Sequence, residues 1–246
     1  MESVARVALI PGGARGIGRA LGLSLARDGW KVALCYRTSE GSANETVAAM
    51  RAAGVEAHAE RCDVSDPAAC EKLVTGVLER WGRIDALINA AGPYERTPLL
   101  EASLDHWHGM FDANLHPVFY LSRLVAAPMQ GQGWGRIVNF SMANADRLLA
   151  QPQLTAHYIA KVGVLVLTRT LAKVLAPDGI TVNAVSPGFI DSGSAPEGEL
   201  ERMLKHIPAG YVGSLDDAVS VVRFLLSDEA RYVNGANIQV SGGWGI

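Results

Sequence analysis

The chain has 246 residues, 49% of them hydrophobic, with a net charge of −3, which suits one large α/β domain. The absence of a basic tract argues against a nucleic-acid partner, and no apolar run reaches the roughly 18 residues that a bilayer span needs. Cys35, Cys62 and Cys70 have neither metal-ligand nor disulfide-framework spacing, and strand-like sequence starts at Val4 with no room for a signal peptide, so a reduced, cytoplasmic protein without a metal is expected.

Short β-rich runs alternate with helical patterns along the chain. Strands are expected at Val4–Ile10, Lys31–Tyr36, Glu56–Cys62, Ala86–Asn89, Arg136–Phe140, Thr181–Ser186 and Asn237–Val240. Helical periodicity runs over 16–28, 42–53, 66–81, 103–130, 155–176 and 214–227. Strands that are apolar throughout are buried on both faces, as in a parallel sheet. The alternation, with no break in composition, predicts a single doubly wound domain over 1–246. One long irregular stretch rich in Gly, Ser and Pro starts at Pro187. It follows the C-terminal end of a strand, where ligands bind such sheets, and a substrate-loop region is expected at about 187–210.

The first strand runs into Pro11-Gly12-Gly13-Ala14-Arg15-Gly16-Ile17-Gly18 and then a helix. Glycines allow a tight turn and close approach of backbone N–H groups to a pyrophosphate, while the helix N-terminus adds free donors and a favourable dipole. Such a turn between a buried strand and an amphipathic helix predicts a dinucleotide site. The second strand ends in Cys35-Tyr36-Arg37-Thr38-Ser39, with no acid before Glu40. A carboxylate there would bind the ribose 2′-OH of NAD. Arg37, with Arg15 nearby, offers planar forks for a 2′-phosphate instead, so NADP(H) is the expected cofactor.

Taken together, the glycine turn at 12–18, Asp63-Val64, Asn89-Ala90-Ala91-Gly92, Asn114, Lys161, Asn183…Pro187-Gly188 and Gly235…Ser241-Gly242-Gly243 resemble the short-chain dehydrogenase/reductase family over nearly the whole chain. Within that family the chain is similar to bacterial oxoacyl-carrier-protein reductases and pteridine-type reductases. The resemblance implies a Rossmann-type sheet of about seven flanked strands and a homo-oligomer, tetramer or dimer. It also implies Asp63 and Val64 at the adenine, Asn89, Ala90 and Gly92 along the cofactor's centre, and Lys161 on the nicotinamide ribose. Pro187 and Gly188 would also contact the cofactor, and Ile190 would lie near the carboxamide. The helix after Lys161 is apolar almost all round, in keeping with burial on more than one side.

Two of the family's four catalytic positions are substituted. The usual tyrosine, four residues before Lys161, is His157, with Tyr158 one residue late. The usual serine falls on Met142, which donates no hydrogen bond. The threonine usual before the glycine turn is Pro11, which has no N–H, so the turn must be held another way.

Three chemistries follow. His157 lies at i, i+4 from Lys161 and can act as the acid or as a neutral donor to an oxyanion. Tyr158, at i, i+3, can do so from a direction about 100° away. Or the substrate, a protonated C=N bond, needs little acid help, with Tyr94 stacking on a flat ring. The expected function is an NADPH-dependent reductase of a C=N bond or a conjugated or cyclic carbonyl in a small molecule. The alternative is an NADP(H)-binding protein with cyclase, isomerase or regulatory activity. The remaining histidines form no ligand pattern.

Overall fold

The computed structural model describes residues 5–193 and 198–245. Seven parallel strands form one sheet in the order β3-β2-β1-β4-β5-β6-β7. They are β1 Val7–Pro11, β2 Lys31–Tyr36, β3 Ala57–Arg61, β4 Ala86–Asn89, β5 Gly135–Phe140, β6 Ile180–Pro187 and β7 Asn237–Val240. Each expected strand is present within a few residues at either end; Val4 lies outside the described residues.

The apolar runs work as two-faced strands. In β1, Ala8 and Ile10 face one side, where they pack with Leu21 and Leu25 of α1 (Gly16–Arg27), Met50 of α2 (Glu40–Ala52) and Val222. Val7 and Leu9 face the other side, with Leu73 of α3 (Pro67–Trp81) and Leu121 and Val125. This alternation places a layer of helices on each face of the sheet. Asp66 caps α3 by accepting from the Ala68 N–H, with Pro67 in the first turn.

The stretch 103–130 is two helices rather than one. α4 (Leu104–Asn114) ends at Leu115, and α5 (His116–Gln132) begins there. Pro117 explains the break, because it lacks the N–H that would continue the ladder and fits a first helical turn. The break puts Asn114 at a helix end, beside the sheet. α6 (Thr155–Leu175) carries His157 and Lys161, and after β6 come α7 (Glu199–Leu204) and α8 (Leu215–Leu226). The expected loop at 187–210 thus contains a short helix; its residues 194–197 lie outside those described.

Candidate active site

The strand order reverses between β1 and β4, and the crevice at the C-terminal ends of these strands is where the functional residues collect. The turn after β1 is held without the missing Pro11 amide. Gly12 N–H donates to Cys35 O (3.2 Å), Gly13 N–H to Ile10 O (3.0 Å), and Pro11 O accepts from Ala90 N–H (3.2 Å). Gly12 has φ +79°, and a Cβ there would come within 2.8 Å of the Ala91 backbone; one on Gly18 would come within 2.4 Å of Gly12 O. This is a backbone cradle that side chains would fill, at the N-terminus of α1.

Arg15 and Arg37 are exposed beside the turn and at the end of β2. Asp63 follows β3, and its Oδ1 accepts from Ser65 N–H (3.0 Å) and Oγ–H (2.7 Å). Val64 O takes the Cys70 thiol (3.3 Å). Gly16 faces Ser192 of the stretch that follows β6, 3.8 Å from a Cβ placed on the glycine. In the same region Ile190 bridges to Gly213, and Gly188 packs on Ser241.

Lys161, Asn114 and Gly92 meet at the centre. A Cβ on Gly92 would lie 2.4 Å from Asn114 Oδ1 and 3.5 Å from Lys161 Nζ, and Gly92 holds φ +148°. Asn114 Nδ2 donates to Pro93 O (3.2 Å) and Met110 O (3.1 Å), leaving Oδ1 buried without a partner. Lys161 Nζ donates to Phe140 O (3.0 Å). Burial lowers the Lys161 ammonium to about 8.

His157 is 5% exposed, and its Nδ1 is buried without a partner. Burial first, then the Lys161 cation, lower its pKa to about 3, against the opposing pull of the Pro93 carbonyl. The imidazole is therefore neutral at any ordinary pH. Tyr94 meets its ring edge-on, with centroids 5.3 Å apart and planes at 85°, and Arg96 Nε donates to Tyr94 Oη (3.1 Å).

The hydroxyl of Tyr158, the alternative acid, is bonded within the 144–149 loop. Its O–H donates to Asn144 O (2.8 Å) and accepts from Leu149 N–H (3.0 Å). The one-residue offset turns it into the 144–149 loop, where it packs with Ala145, Leu165 and the partly buried Met142. Met142 thus covers Tyr158. Ser141 is turned away too, its Oγ donating to Lys161 O (2.8 Å). Of the polar residues in that loop, Asp146 takes Gln239 Nε2 (3.3 Å).

Two features were not legible from spacing. Asn89 Nδ2 donates to Asn139 Oδ1 (2.8 Å), and Asn139 Nδ2 to Thr168 Oγ1 (2.9 Å). This polar ladder beneath the site leaves Asn89 Oδ1 free to accept. His106 Nδ1 lies 3.3 Å from Glu95 Oε2. Both line a cavity that His157 also borders.

Comparison with known proteins agrees with this architecture. A family model described as enoyl-(acyl carrier protein) reductase matches residues 12–245. A 3-oxoacyl-[acyl-carrier-protein] reductase of Synechocystis sp. is 37% identical over 240 residues, covering 97% of this chain and 96% of that one. Among solved structures, a levodione reductase superposes with a TM-score of 0.89 at 32% identity, covering 97% of this chain and 96% of that one. An acetoin dehydrogenase of Salmonella typhimurium does so with 0.88 at 30%, covering 98% and 97%.

Proposed function

Because the chain belongs to the short-chain dehydrogenase/reductase family and is an oxidoreductase, we propose that it is an NADPH-dependent reductase in which neutral His157 stands in for the family's tyrosine. The observation that carries this reading is the cluster at the sheet's C-terminal edge: a buried Lys161 cation, a buried imidazole on the same helix, and an Asn114 oxygen without a partner. Gly12, Gly16, Ile17 and Gly18 would hold the pyrophosphate, Arg15 and Arg37 the 2′-phosphate, and Asp63 and Val64 the adenine. Asn89, Ala90 and Gly92 would line the centre, and Lys161, Pro187, Gly188 and Ile190 the nicotinamide end. When bound, the reduced cofactor supplies a hydride. Lys161 orients the ribose and adds positive charge beside the developing anion, and His157 gives that anion an N–H.

The substrate class is a C=N bond or a conjugated or cyclic carbonyl of a small molecule. The half-exposed Tyr94 beside His157 supports a flat, largely apolar substrate. Levodione reductase is, by its name, a reductase of a dione. Tyr158 acts as a loop staple in this reading. Ile159, Val166 and Val174 form an exposed apolar stripe on α6, which supports a homo-oligomer. Three unbridged cysteines support a cytoplasmic setting, and among the described residues no helix is long and apolar enough to cross a membrane.

The test follows NADPH and NADH oxidation over ketones, oxoacyl thioesters, cyclic imines and dihydropterins, after fluorescence has established cofactor binding. Turnover with NADPH preferred over NADH supports the reading. Tight NADPH binding without turnover on any of these substrates would instead favour the non-redox alternative.

A further inference from the structure

Strands β5 and β6 stay paired just past the end of β5 and then part. Ser141 N–H donates to Val185 O (2.9 Å) and Ala143 N–H to Pro187 O (3.0 Å). From there one branch enters the 144–149 loop that the Tyr158 hydroxyl anchors. The other runs through Gly188 and Phe189 to Ile190. Lys161 Nζ bonds Phe140 O at the base of the first branch (3.0 Å), and the nicotinamide end of the cofactor is assigned above to the second.

The end of the chain sits in this fork. After β7, Ser241-Gly242-Gly243-Trp244-Gly245 turns back on itself, with Trp244 N–H donating to Ser241 O (3.0 Å). A Cβ on Gly188 would lie 2.9 Å from Ser241, and one on Gly243 3.2 Å from Pro208. Gly242 O accepts the Ala209 N–H (2.9 Å). The partly buried Trp244 meets the Phe189 ring with centroids 4.7 Å apart and planes at 66°. One residue on, a Cβ on Gly245 would lie 3.0 Å from the Asn144 Cβ. Consecutive residues thus touch the two branches, and the indole is the one large side chain between β7 and Gly245. Backbone bonds tie Phe189 to Ile190 and beyond: Gly213 N–H donates to Phe189 O (3.0 Å) and Asp191 N–H to Gly213 O (2.8 Å). A hold on the Phe189 ring is therefore a hold on Ile190.

We propose that Trp244 is a positioning residue for hydride transfer: seated on Phe189, with Gly245 against Asn144, it fixes the opening of the fork and with it the place of the nicotinamide end relative to Lys161. The inference rests on the reductase reading above. The indole acts by orientation, through Phe189, and a displacement of about 1 Å between reacting groups can cost about 10²-fold in rate. The pyrophosphate and adenosine are assigned to the ends of β1, β2 and β3, so affinity for the whole cofactor depends little on this wedge.

The experiment compares wild type with Trp244→Ala, Trp244→Phe, Phe189→Ala and the double variant Trp244→Ala/Phe189→Ala, using NADPH and the best substrate from the panel. We expect kcat to fall about tenfold in Trp244→Ala, while the dissociation constant of NADPH stays within about threefold because the helix N-terminus that takes the pyrophosphate is untouched. The isotope effect from NADPH deuterated at the transferred position rises, and Trp244→Phe recovers most of the rate. Phe189→Ala costs as much as Trp244→Ala, and the double variant costs no more than either. An active wild type whose kcat and isotope effect are unchanged in Trp244→Ala overturns the proposal, as do losses that multiply in the double variant. If wild type turns over nothing, the reductase reading fails by itself, and the wedge is judged by amide exchange in the cofactor-free protein. The Ala209 and Gly213 amides should then exchange about tenfold faster in Trp244→Ala while those of Val7–Ile10 do not change; unchanged exchange at Ala209 and Gly213 overturns the wedge as well. Phe189→Leu applies the same tests should Trp244→Ala not fold.

Discussion

The two edges of the sheet treat buried polar groups in opposite ways. At the N-terminal edge they are paired. Asp85, 1% exposed, takes the Val7 N–H (2.8 Å) and a bidentate Arg83 (2.8 and 2.6 Å). Trp134 lies 4.2 Å from both the Arg6 and the Arg136 guanidinium, and its indole N–H donates to Asp228 (3.1 Å). At the C-terminal edge, Asn89, Asn114, Asn144, His157, Asn237 and Gln239 each hold a buried polar atom without a partner. The Arg136 Nε, at the paired edge, and the Ser122 Oγ, on α5, are exceptions. An unpaired buried polar group costs stability. Carrying several along one edge marks it as the edge built for ligands, while the other edge holds the fold.

The contrast can be broken by substitution. Lys161→Met should lower kcat by about 10²–10³, yet leave the melting temperature at pH 7 no lower, since it removes a buried cation. His157→Phe should lower kcat about 100-fold and cost little stability, because losing the bond to the Pro93 carbonyl is offset by removing a buried nitrogen without a partner. Steady-state rates and calorimetry on the same samples check both; a large loss of melting temperature in either would place that residue in the architecture instead. At the opposite edge, Asp85→Ala should cost about 3 kcal/mol by stranding the Val7 N–H and Arg83, read by urea denaturation, with kcat within about twofold.

Acid sharpens the same comparison. His157 titrates at about 3 in the fold against an ordinary 6.5. Below 6.5 the unfolded chain takes up a proton that the folded one refuses, so this contribution is intact above pH 6.5 and is lost as pH falls toward 3. The slope is at most about 1.4 kcal/mol per pH unit in that window. His157→Phe should lack this component, and urea midpoints from pH 7 to 4 measure the difference. The smallest effect is expected for Tyr158→Phe. Losing its two loop hydrogen bonds should cost about 1–2 kcal/mol and change kcat by less than about fivefold. A hundredfold loss would return Tyr158 to the chemistry.

The strands were readable because a strand buried on both faces is apolar at every position, as Val7–Ile10 is. The glycine turn was readable because close backbone approach excludes side chains. The break at Leu115 was harder, because apolar periodicity continues across it and Pro117 alone marks it. In the site, the i, i+4 spacing of His157 and Lys161 held the essential relation. The direction of Tyr158 did not follow from spacing, since Asn144 and Leu149, which capture its hydroxyl, come from a loop with no period. Glu95 and His106 were hidden for the same reason: their meeting depends on one loop zipped to another by backbone bonds.

The tyrosine one residue late has a consequence for redesign of this site. Its hydroxyl bonds Asn144 O and Leu149 N–H, so the loop is anchored from position 158, and the side chain at position 157 can be exchanged for another proton-handling group while that anchor stays in place.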